Sequence, residues 1–594
     1  MAQDYIQVKN CKQKSALILE LLVVGVICVI AILGWLKNIG LSQDSTSYIA
    51  ASENLIKTGQ LSVFVNLTDW SSDPVVIPYM EQPPGFPLFL VPFIIVFRDP
   101  LVSAVIAQCI YLALFYLFIY LITLRLQFSP LLRIVALILF TFVGPFWLIH
   151  NYFWTETLFI ALSIGAGYFA LGLLGEANRK RDWIILIVIL ALTSLIRYTG
   201  VANLALLALF LLKRDSLRAA KRLLTHRYTL TGISAVGGLL IVLSLLADFL
   251  PNGKPGFGSS QWRGILLGAT GLLIGVAGLL ILRKRRSETH VRQPYSNKLD
   301  ASNWAVFAVL GTVAPVLAWI VRNVILYHTI SHWGLFQVFQ FNRFAVPFQY
   351  IWDELLGFHF VPRPLAALLV AGLLFLPFSR LPIIGMSGSR RAAHIVILGA
   401  AVAHFLLIWF LSFVTANENI SARYFSPVLA FLLLGMLNGL QQASQAVRSR
   451  IWRQFLLAAP LFFLALSIAF PPAGLFQSLG RINYPPERRL WSEIGNIEWT
   501  HSSSFFYSDD GYAAGGYKHQ IFSGRPQGIL WDPAILKDPQ KIISLLSRGK
   551  NPFILVTIGS PESQILDEMI STGVVSLEKI SFLDTGFLLY RLKK

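Results

Sequence analysis

The chain has 594 residues, of which 55% are hydrophobic and 13% charged, with a formal net charge of +19 and a mean hydropathy of +0.63. So little polar surface excludes a soluble globular protein of this length and indicates a polytopic membrane protein. From residue 472 onward 13 basic side chains are balanced by 12 acidic ones, so the positive excess lies earlier, in short loops between apolar segments. This distribution follows the positive-inside rule and argues against nucleic-acid binding.

The first apolar segment, residues 16–36, follows Lys9, Lys12 and Lys14 and is long enough to cross a bilayer. Its length, and the lack of a small-residue cleavage site after it, predict a retained anchor whose N-terminus lies inside. The loop at 37–86 then carries five acidic residues up to Glu81 and only two lysines. We therefore expect this loop to lie outside.

The remaining apolar segments predict twelve more crossings. A Pro-rich stretch from residue 86 is read as a dipping segment before the second span. Residues 183–212 are compatible with one long helix that buries Arg197, or with two short ones that turn near it. The basic loop at 213–227 favours two, which places Arg197 near the outer face. The predicted spans after the first are 101–124, 131–149, 155–174, two within 183–212, 230–250, 265–282, 304–321, 365–378, 392–414, 424–440 and 452–470.

The composition changes after the last span. Residues 553–558 and 587–592 are rich in β-type residues, whereas 539–547 and 561–570 have helical patterns. The predicted fold class is therefore a polytopic α-helical membrane protein of about 13 transmembrane helices with a C-terminal extracytoplasmic α/β domain. We place the transmembrane domain at 1–471, including the outer loop 37–86, and the small outer domain at 472–594.

Ionisable residues gather at the predicted outer ends of the spans. Arginines there commonly reach lipid headgroups, whereas acids have no anionic headgroup to meet, so Asp44 and Glu156 stand out. Glu156 would also suit the start of a helix through the macrodipole. Arginine binds phosphate bidentately, and a carboxylate can accept a proton from a hydroxyl, so the set suits chemistry on a phosphorylated lipid. The set comprises Asp44, Glu81, Glu156, Arg197, Arg322, Arg343, Glu418 and Arg423.

Several short motifs occur in an order that resembles one enzyme superfamily. These are Asp44-x-x-x-Tyr48 after the first span, Pro-Pro-Gly-Phe-Pro-Leu-Phe at 83–89, Thr-Glu-x-Leu-Phe at 155–159, Ile-Arg-Tyr-x-Gly at 196–200, Trp-Ile-Val-Arg-Asn at 319–323 and Arg-Tyr-x-x-Pro at 423–427. In this order, over about residues 1–470, the chain resembles the GT-C membrane glycosyltransferases. Within them it is similar to the bacterial relatives of protein O-mannosyltransferases and of aminoarabinose (lipid A) transferases, which use polyprenyl-phosphate sugars.

The resemblance implies roles for these positions. Asp44 corresponds to the essential loop acid, the base toward the acceptor, and Glu156 supports it. Arg322, with Arg197 or Arg343, would contact the phosphate of the carrier. Tyr48, Glu81, Gln82, Glu418 and Arg423 would support the acceptor or the loop.

Position 82 departs from the family pattern. Aminoarabinose transferases have Glu-Lys-Pro-Pro where this chain has Glu81-Gln82-Pro-Pro, and Gln82 lacks the charge of that lysine. Lipid A specificity is therefore not implied. The family also allows a divalent cation at Glu81, for which His332 is the one histidine partner that the sequence suggests. The metal is left unassigned, and no other cofactor is implied.

The sequence thus predicts an inverting glycosyltransferase that moves a sugar from a polyprenyl-phosphate donor to a lipid, glycan or protein hydroxyl. Its predicted location is the bacterial inner membrane, with the N-terminus cytoplasmic and the C-terminal domain extracytoplasmic. The alternative is a transporter or lipid flippase without covalent chemistry. Such proteins usually have repeated halves and ionisable residues at mid-membrane. A third alternative is a non-catalytic membrane scaffold for the outer domain.

Overall fold

The computed structural model describes most of the predicted membrane helices and parts of the C-terminal region. The predicted spans at 230–250 and 265–282 lie outside the described residues, as do Glu81, His332, Arg343 and Glu418. The described residues are 18, 20–33, 40–63, 65–66, 77–80, 82–174, 180–212, 301–327, 370–374, 388–414, 422–469, 485–497, 500, 505–508, 527–529, 536–547 and 552–593.

The chain is mainly helical up to residue 469. A short 3-10 helix spans Tyr198–Leu207, and a 3-10 turn spans Ala422–Phe425. The α-helices are α1 (Glu20–Leu33), α2 (Gln43–Thr58), α3 (Gly85–Phe97), α4 (Pro100–Arg125), α5 (Pro130–Phe142), α6 (Gly144–Asn151), α7 (Thr155–Leu174), α8 (Lys180–Ile196), α9 (Ala208–Leu212), α10 (Ala301–Tyr327), α11 (Gly388–Val414), α12 (Ser426–Ala446) and α13 (Arg450–Ala469).

Among the described residues, five helices are long and apolar enough to cross a membrane, namely α4, α7, α10, α11 and α12. A sixth crossing is added if α5 and α6, which bend by 61°, form one broken span. Large apolar side chains on α1 and α13, including Leu22, Ile30 and Ile451, are more than half exposed, as expected where lipid rather than protein covers a helix. The protein is therefore an integral membrane protein, and the number of thirteen crossings stays a prediction.

Two predicted breaks are found in the structure. α3 ends before Arg98, and the Asp99 carboxylate caps α4 by accepting hydrogen bonds from the backbone of Leu101 and Val102. α8 ends at Arg197, whose extended backbone (φ −146°, ψ 137°) starts the 3-10 helix. A Cβ on Gly200 would lie 2.5 Å from the Thr193 backbone, so the turn after α8 requires a residue without a side chain. Of the two alternatives for 183–212, the structure has the break near Arg197, with α8 before it and the 3-10 helix and α9 after it.

A group of polar contacts joins helix ends on the side of the bundle predicted to face inward. Glu20 of α1 forms a two-point ion pair with Arg133 of α5, with the Oε2–Nη2 contact at 2.6 Å. The backbone N–H of Ser129, which caps α5, donates to Gln441 near the end of α12 at 3.1 Å. These contacts join the predicted inner ends of three segments, α1, α5 and α12.

The described residues after 484 contribute five strands of a six-stranded sheet with helices on its two faces. Its strands are β4 (Phe505–Ser508), β5 (Gln527–Ile529), β6 (Phe553–Thr557), β7 (Leu577–Phe582) and β8 (Phe587–Leu592), with β2 (Val65–Asn66) at one edge in the order β2-β5-β4-β6-β8-β7. β6 is central and alternates: Ile554 and Val556 pack with α15 (Pro539–Leu546) and α16 (Pro561–Ser571), whereas Phe553 and Leu555 pack with α14 (Pro485–Gly495).

The edge strand β2 comes from the loop between α2 and α3. β1 (Ser62–Val63) pairs with β3 (Ile77–Pro78) in an antiparallel ladder, and β2 pairs in parallel with β5 across the register Val65↔Gln527 and Asn66↔Gly528. The loop predicted at 37–86 is therefore in contact with the sheet of the C-terminal region. The domain boundary at 471/472 stays a prediction, and this strand crosses it.

Candidate active site

The N-termini of α2 and α7 lie side by side because the segments that precede them are joined. Gly40 forms a parallel β-bridge with Tyr152, and the Gly40 carbonyl accepts a hydrogen bond of 3.0 Å from the backbone N–H of Phe153. The Trp154 indole N–H donates to the Ser42 hydroxyl at 2.6 Å. A Cβ on Gly40 would be 2.8 Å from the Tyr152 ring, so only glycine permits this approach.

Each of these helix starts carries an acid. Ser42 caps α2 in a reciprocal box with Ser45, which puts Asp44 in the first turn, and Glu156 occupies the first turn of α7. Both carboxylates therefore face the positive ends of helix dipoles. Two arginines come from other helix ends: Arg197 from the break after α8 and Arg423 from the 3-10 turn before α12.

These four side chains, which we call the charged quartet, are Asp44, Glu156, Arg197 and Arg423. The Asp44 Oδ2 is 2.7 Å from the Arg423 Nη2, and the Glu156 Oε1 is 2.6 Å from the Arg197 Nη1. The Arg423 Nε lies 3.7 Å from the same Glu156 oxygen, so the two pairs form one network. Two formal negative and two positive charges make the quartet neutral overall.

The members of the quartet differ in their access to solvent. The Glu156 side chain is 2% exposed, whereas Asp44 is 22% exposed. Thr155 fixes the Glu156–Arg197 pair, because its hydroxyl accepts a hydrogen bond from Arg197 at 2.8 Å and contacts the Glu156 Oε2 at 3.2 Å. Asp44 is thus the carboxylate that a bound molecule can reach, and Glu156 is the one that holds the arginines.

Aromatic rings fix the guanidinium groups. Arg423 lies 4.6 Å from the centroid of Trp154 and 5.0 Å from that of Tyr424, and Arg197 is 5.1 Å from the Tyr424 ring. Such cation–π contacts hold a cation without neutralising it. No role was predicted for Trp154, Tyr424, Thr155 or Ser42. Thr155 and Tyr424 stand within the quoted motifs at 155–159 and 423–427, and Ser42 and Trp154 each precede a predicted acid by two positions.

Tyr48 and Gln82 form a second polar contact beside the quartet. The buried Tyr48 hydroxyl donates to the Gln82 Oε1 at 2.6 Å, and its ring packs edge-on against Phe86. Burial of the phenol, together with the nearby carboxylates of Asp44 and Glu156, holds the pKa of Tyr48 well above its usual range. The hydroxyl therefore stays a donor, and Gln82 is oriented by it.

The other predicted residues are placed as follows. The Arg322 guanidinium lies 4.3 Å from the Trp319 centroid and donates to the Asn323 Oδ1 at 2.8 Å. Arg423, predicted as a supporting residue, lies close to both carboxylates of the quartet. Glu81, Arg343, Glu418 and His332 lie outside the described residues. Among the residues that are described, no three His, Cys, Asp or Glu side chains gather as a metal site.

A polar network supports the start of α7 from behind. The buried Gln108 of α4 donates to the Thr157 hydroxyl at 3.1 Å, and the His150 Nδ1 lies 3.2 Å from the same hydroxyl. Gln108 also reaches the carbonyls of His150 and Tyr152, at 3.4 Å each. Because these groups are buried, their hydrogen bonds fix the corner between α6 and α7 that carries Glu156.

Comparisons with known proteins give matches in structure only. No family model matches the sequence, and no curated protein matches it. An oligosaccharyltransferase from Archaeoglobus fulgidus, in complex with Zn and sulfate, is similar at a TM-score of 0.46 and 14% identity over 90% of this chain and 68% of that one. ArnT from Cupriavidus metallidurans, bound to undecaprenyl phosphate, is similar at a TM-score of 0.46 and 13% identity over 97% and 98% of the two chains.

A third similar structure is the archaeal oligosaccharyltransferase AglB from Archaeoglobus fulgidus, in complex with an inhibitory peptide and a dolichol-phosphate. Its TM-score is 0.42, with 11% identity over 97% of this chain and 74% of that one. All three TM-scores are below 0.5 and all three identities are below 25%, so these similarities assign no family, donor, acceptor or catalytic residue to this chain.

Proposed function

We propose that the protein is an inverting glycosyltransferase that moves a sugar from a polyprenyl-phosphate donor to a hydroxyl acceptor at the outer face of a bacterial inner membrane. The observation that carries this proposal is the charged quartet at one end of the bundle. It combines a reachable carboxylate, Asp44, with arginines suited to a phosphate, and both come from apolar helix ends where unpaired charge would be costly.

In the proposed reaction the acceptor oxygen attacks C1 of the sugar as the bond between C1 and the phosphate oxygen breaks. Asp44 takes the proton of the acceptor hydroxyl, and the electron pair of the broken bond leaves on the phosphate. A phosphate leaving group needs charge stabilisation rather than protonation, which arginines supply. The products are the glycosylated acceptor and the polyprenyl phosphate.

Glu156 supports this step without contacting the sugar. Its carboxylate is 2% exposed and 2.6 Å from Arg197, so it fixes a guanidinium beside the base. We assign Arg197, with Arg322 and Arg343, to the carrier phosphate, and Tyr48 and Gln82 to support of the loop and acceptor. The Tyr48–Gln82 hydrogen bond of 2.6 Å leaves the Gln82 amide N–H groups as donors toward a bound hydroxyl or phosphate.

The carrier class and the orientation belong to the same proposal. Two of the similar proteins named above were solved with undecaprenyl phosphate and with a dolichol-phosphate, respectively. The quartet lies at the end of the bundle opposite the Glu20–Arg133 pair, which is near the N-terminus. If the N-terminus is cytoplasmic, as the loop charges predict, the quartet faces the outside.

The test is a deletion strain complemented with Asp44→Asn. Deletion should make the sugar-bearing polyprenyl phosphate accumulate, as measured by mass spectrometry of extracted lipids. Asp44→Asn, present at the normal level, should leave it accumulated, since loss of a general base costs about 10²–10⁴-fold in rate. Asp99→Asn is the matched control, because asparagine caps a helix as well as aspartate does. Full turnover by Asp44→Asn, or no accumulated donor in the deletion strain, would refute the proposal.

A further inference from the structure

Asp44 is already occupied by a cation. Its Oδ2 is 2.7 Å from the Arg423 Nη2, which is the distance of a charge-assisted hydrogen bond. This oxygen is directed at Arg423 rather than at an acceptor hydroxyl. In the arrangement seen here, one of the two oxygens of the proposed base is therefore engaged.

The quartet also has no spare positive charge. Asp44 and Glu156 balance Arg197 and Arg423, so an added phosphate would bring at least one uncompensated negative charge into a partly buried site. Such a charge must be paired or it will not bind. A phosphate that binds within the quartet itself is therefore paired only if one of these two arginines changes partner.

Arg423 is the arginine that can do so. Arg197 is held by the nearly buried Glu156 and by Thr155, whereas Arg423 is bound to Asp44, the most exposed member of the quartet. Trp154 and Tyr424 keep the Arg423 guanidinium in place through its faces. Glu156 lies 3.7 Å from the Arg423 Nε, so it remains a nearby counter-charge for Arg423 when the Asp44–Arg423 contact breaks.

We propose that the phosphate of the donor lipid binds Arg423 in competition with Asp44, so that donor binding releases Asp44 to act as the base. This inference rests on the proposed function. It orders the reaction: the phosphate arrives first, its oxygens replace the Asp44 carboxylate on Arg423, and Asp44 then accepts the proton of the acceptor hydroxyl. Without the donor, the Asp44–Arg423 pair keeps the base inactive.

The test measures binding of undecaprenyl phosphate to the full-length protein in nanodiscs. If Asp44 competes with the phosphate, Asp44→Asn should bind the lipid more tightly while transferring no sugar. The expected gain is about 10-fold, as for one hydrogen bond to a charged group. Arg423→Gln should bind at least about 10-fold more weakly. In the double variant the gain from Asp44→Asn should disappear, because the two changes act on one pair.

Controls separate this inference from the proposed function and from loss of folding. Asp99→Asn removes an acid elsewhere on the predicted outer side and should bind as the wild type does. Arg423→Lys keeps the charge and should retain part of the affinity that Arg423→Gln loses. If Arg423→Gln does not elute as a single species on size exclusion, Arg423→Lys is used in its place. If the wild type binds no undecaprenyl phosphate, the proposed function fails. If it binds and Asp44→Asn does not bind more tightly, the competition is wrong while the proposed function stands.

Discussion

Glu156 shows how burial assigns different tasks to two acids in similar positions. Both Asp44 and Glu156 lie in the first turn of a helix, yet Glu156 is 2% exposed and Asp44 is 22% exposed. A carboxylate removed from solvent is stable only with a counter-charge and hydrogen bonds, which Arg197 and Thr155 provide. Glu156 therefore stabilises the arrangement of the site, and Asp44 is the acid that the proposed reaction uses.

This difference in burial predicts the effect of breaking the Glu156–Arg197 pair. Glu156→Gln leaves Arg197 without its nearest counter-charge, which for a buried pair costs about 3–5 kcal/mol of stability. The double variant Glu156→Gln with Arg197→Gln should recover part of this loss, because no uncompensated charge remains. Thermal unfolding of the purified variants in one detergent measures both. A Glu156→Gln variant that melts as the wild type does would contradict the assignment.

Tyr48 gives a prediction about pH. Burial, with Asp44 and Glu156 nearby, holds the pKa of its phenol above the ordinary value of 10.0, so it stays protonated at lower pH and loses its proton only well above that value. Tyr48→Phe should therefore lower transfer by about 2–10-fold through loss of the hydrogen bond to Gln82. It should leave the shape of the rate profile between about pH 6 and pH 9 unchanged. A profile whose alkaline limb moves in this variant would show that Tyr48 titrates.

At the scale of elements, the site is assembled entirely from helix ends. α2 and α7 contribute their first turns, α8 contributes its end, and the 3-10 turn before α12 contributes Arg423. The bridge between Gly40 and Tyr152 and the Ser42–Trp154 hydrogen bond set the distance between the first two of these elements. Small shifts of one helix against another would therefore change the quartet directly.

Gly40→Ala tests this dependence. The added Cβ would meet the Tyr152 ring at 2.8 Å and push α2 away from α7. A displacement of about 1 Å in a catalytic site can cost about 10²-fold in rate, so transfer should fall by that order while the protein still folds. Gly25→Ala in α1 is the matched control, since nothing lies within 4 Å of its Cβ position. Equal activity of the two variants would mean that the bridge does not position Asp44.

For the whole molecule, the strand β2 joins the loop predicted at 37–86 to the C-terminal sheet. The segment that carries Asp44 and Tyr48 in α2 continues through β1 into β2, which pairs with β5 more than 450 residues later in the chain. The sheet thus holds the far side of the loop whose near side is held by α7. This contact gives the C-terminal region a physical route to the site, whichever acceptor it meets.

Proline substitutions in β2 should loosen this connection. In a two-residue edge strand, one of the two backbone N–H groups points toward the neighbouring strand, and proline removes that donor. Val65→Pro and Asn66→Pro are made as separate variants, so that one of the two loses the hydrogen bond. One of them should increase hydrogen exchange in residues 43–58 and lower transfer several-fold, without affecting α4 or α7. Val65→Ala and Asn66→Ala keep the N–H and serve as controls. Unchanged exchange in both proline variants would show that α2 does not depend on the sheet.

Much of the local structure followed from the sequence alone. The apolar segment at 155–174 coincides with α7, the strand at 587–592 with β8, and the turn at Arg197 with the break after α8. These features depend on short-range properties: an apolar length that spans hydrocarbon, β-type residues in a row, and glycine where backbones approach. The predicted span at 131–149 was found as two helices bent by 61°, because the break at Gly144-Pro145 interrupts helical hydrogen bonding.

By itself, the sequence placed Asp44, Glu156, Arg197 and Arg423 at helix ends, because charge is costly within apolar spans. Arg322, expected just after the span at 304–321, lies instead inside α10, which continues to Tyr327. The sequence did not determine how these charged residues pair. Only the tertiary structure decided that Asp44 meets Arg423 rather than Arg322, that Glu156 is buried against Arg197, and that β2 joins the C-terminal sheet. The reason is that these partners are separated by 41 to more than 450 positions, and packing between whole elements sets their distances to a few tenths of an ångström.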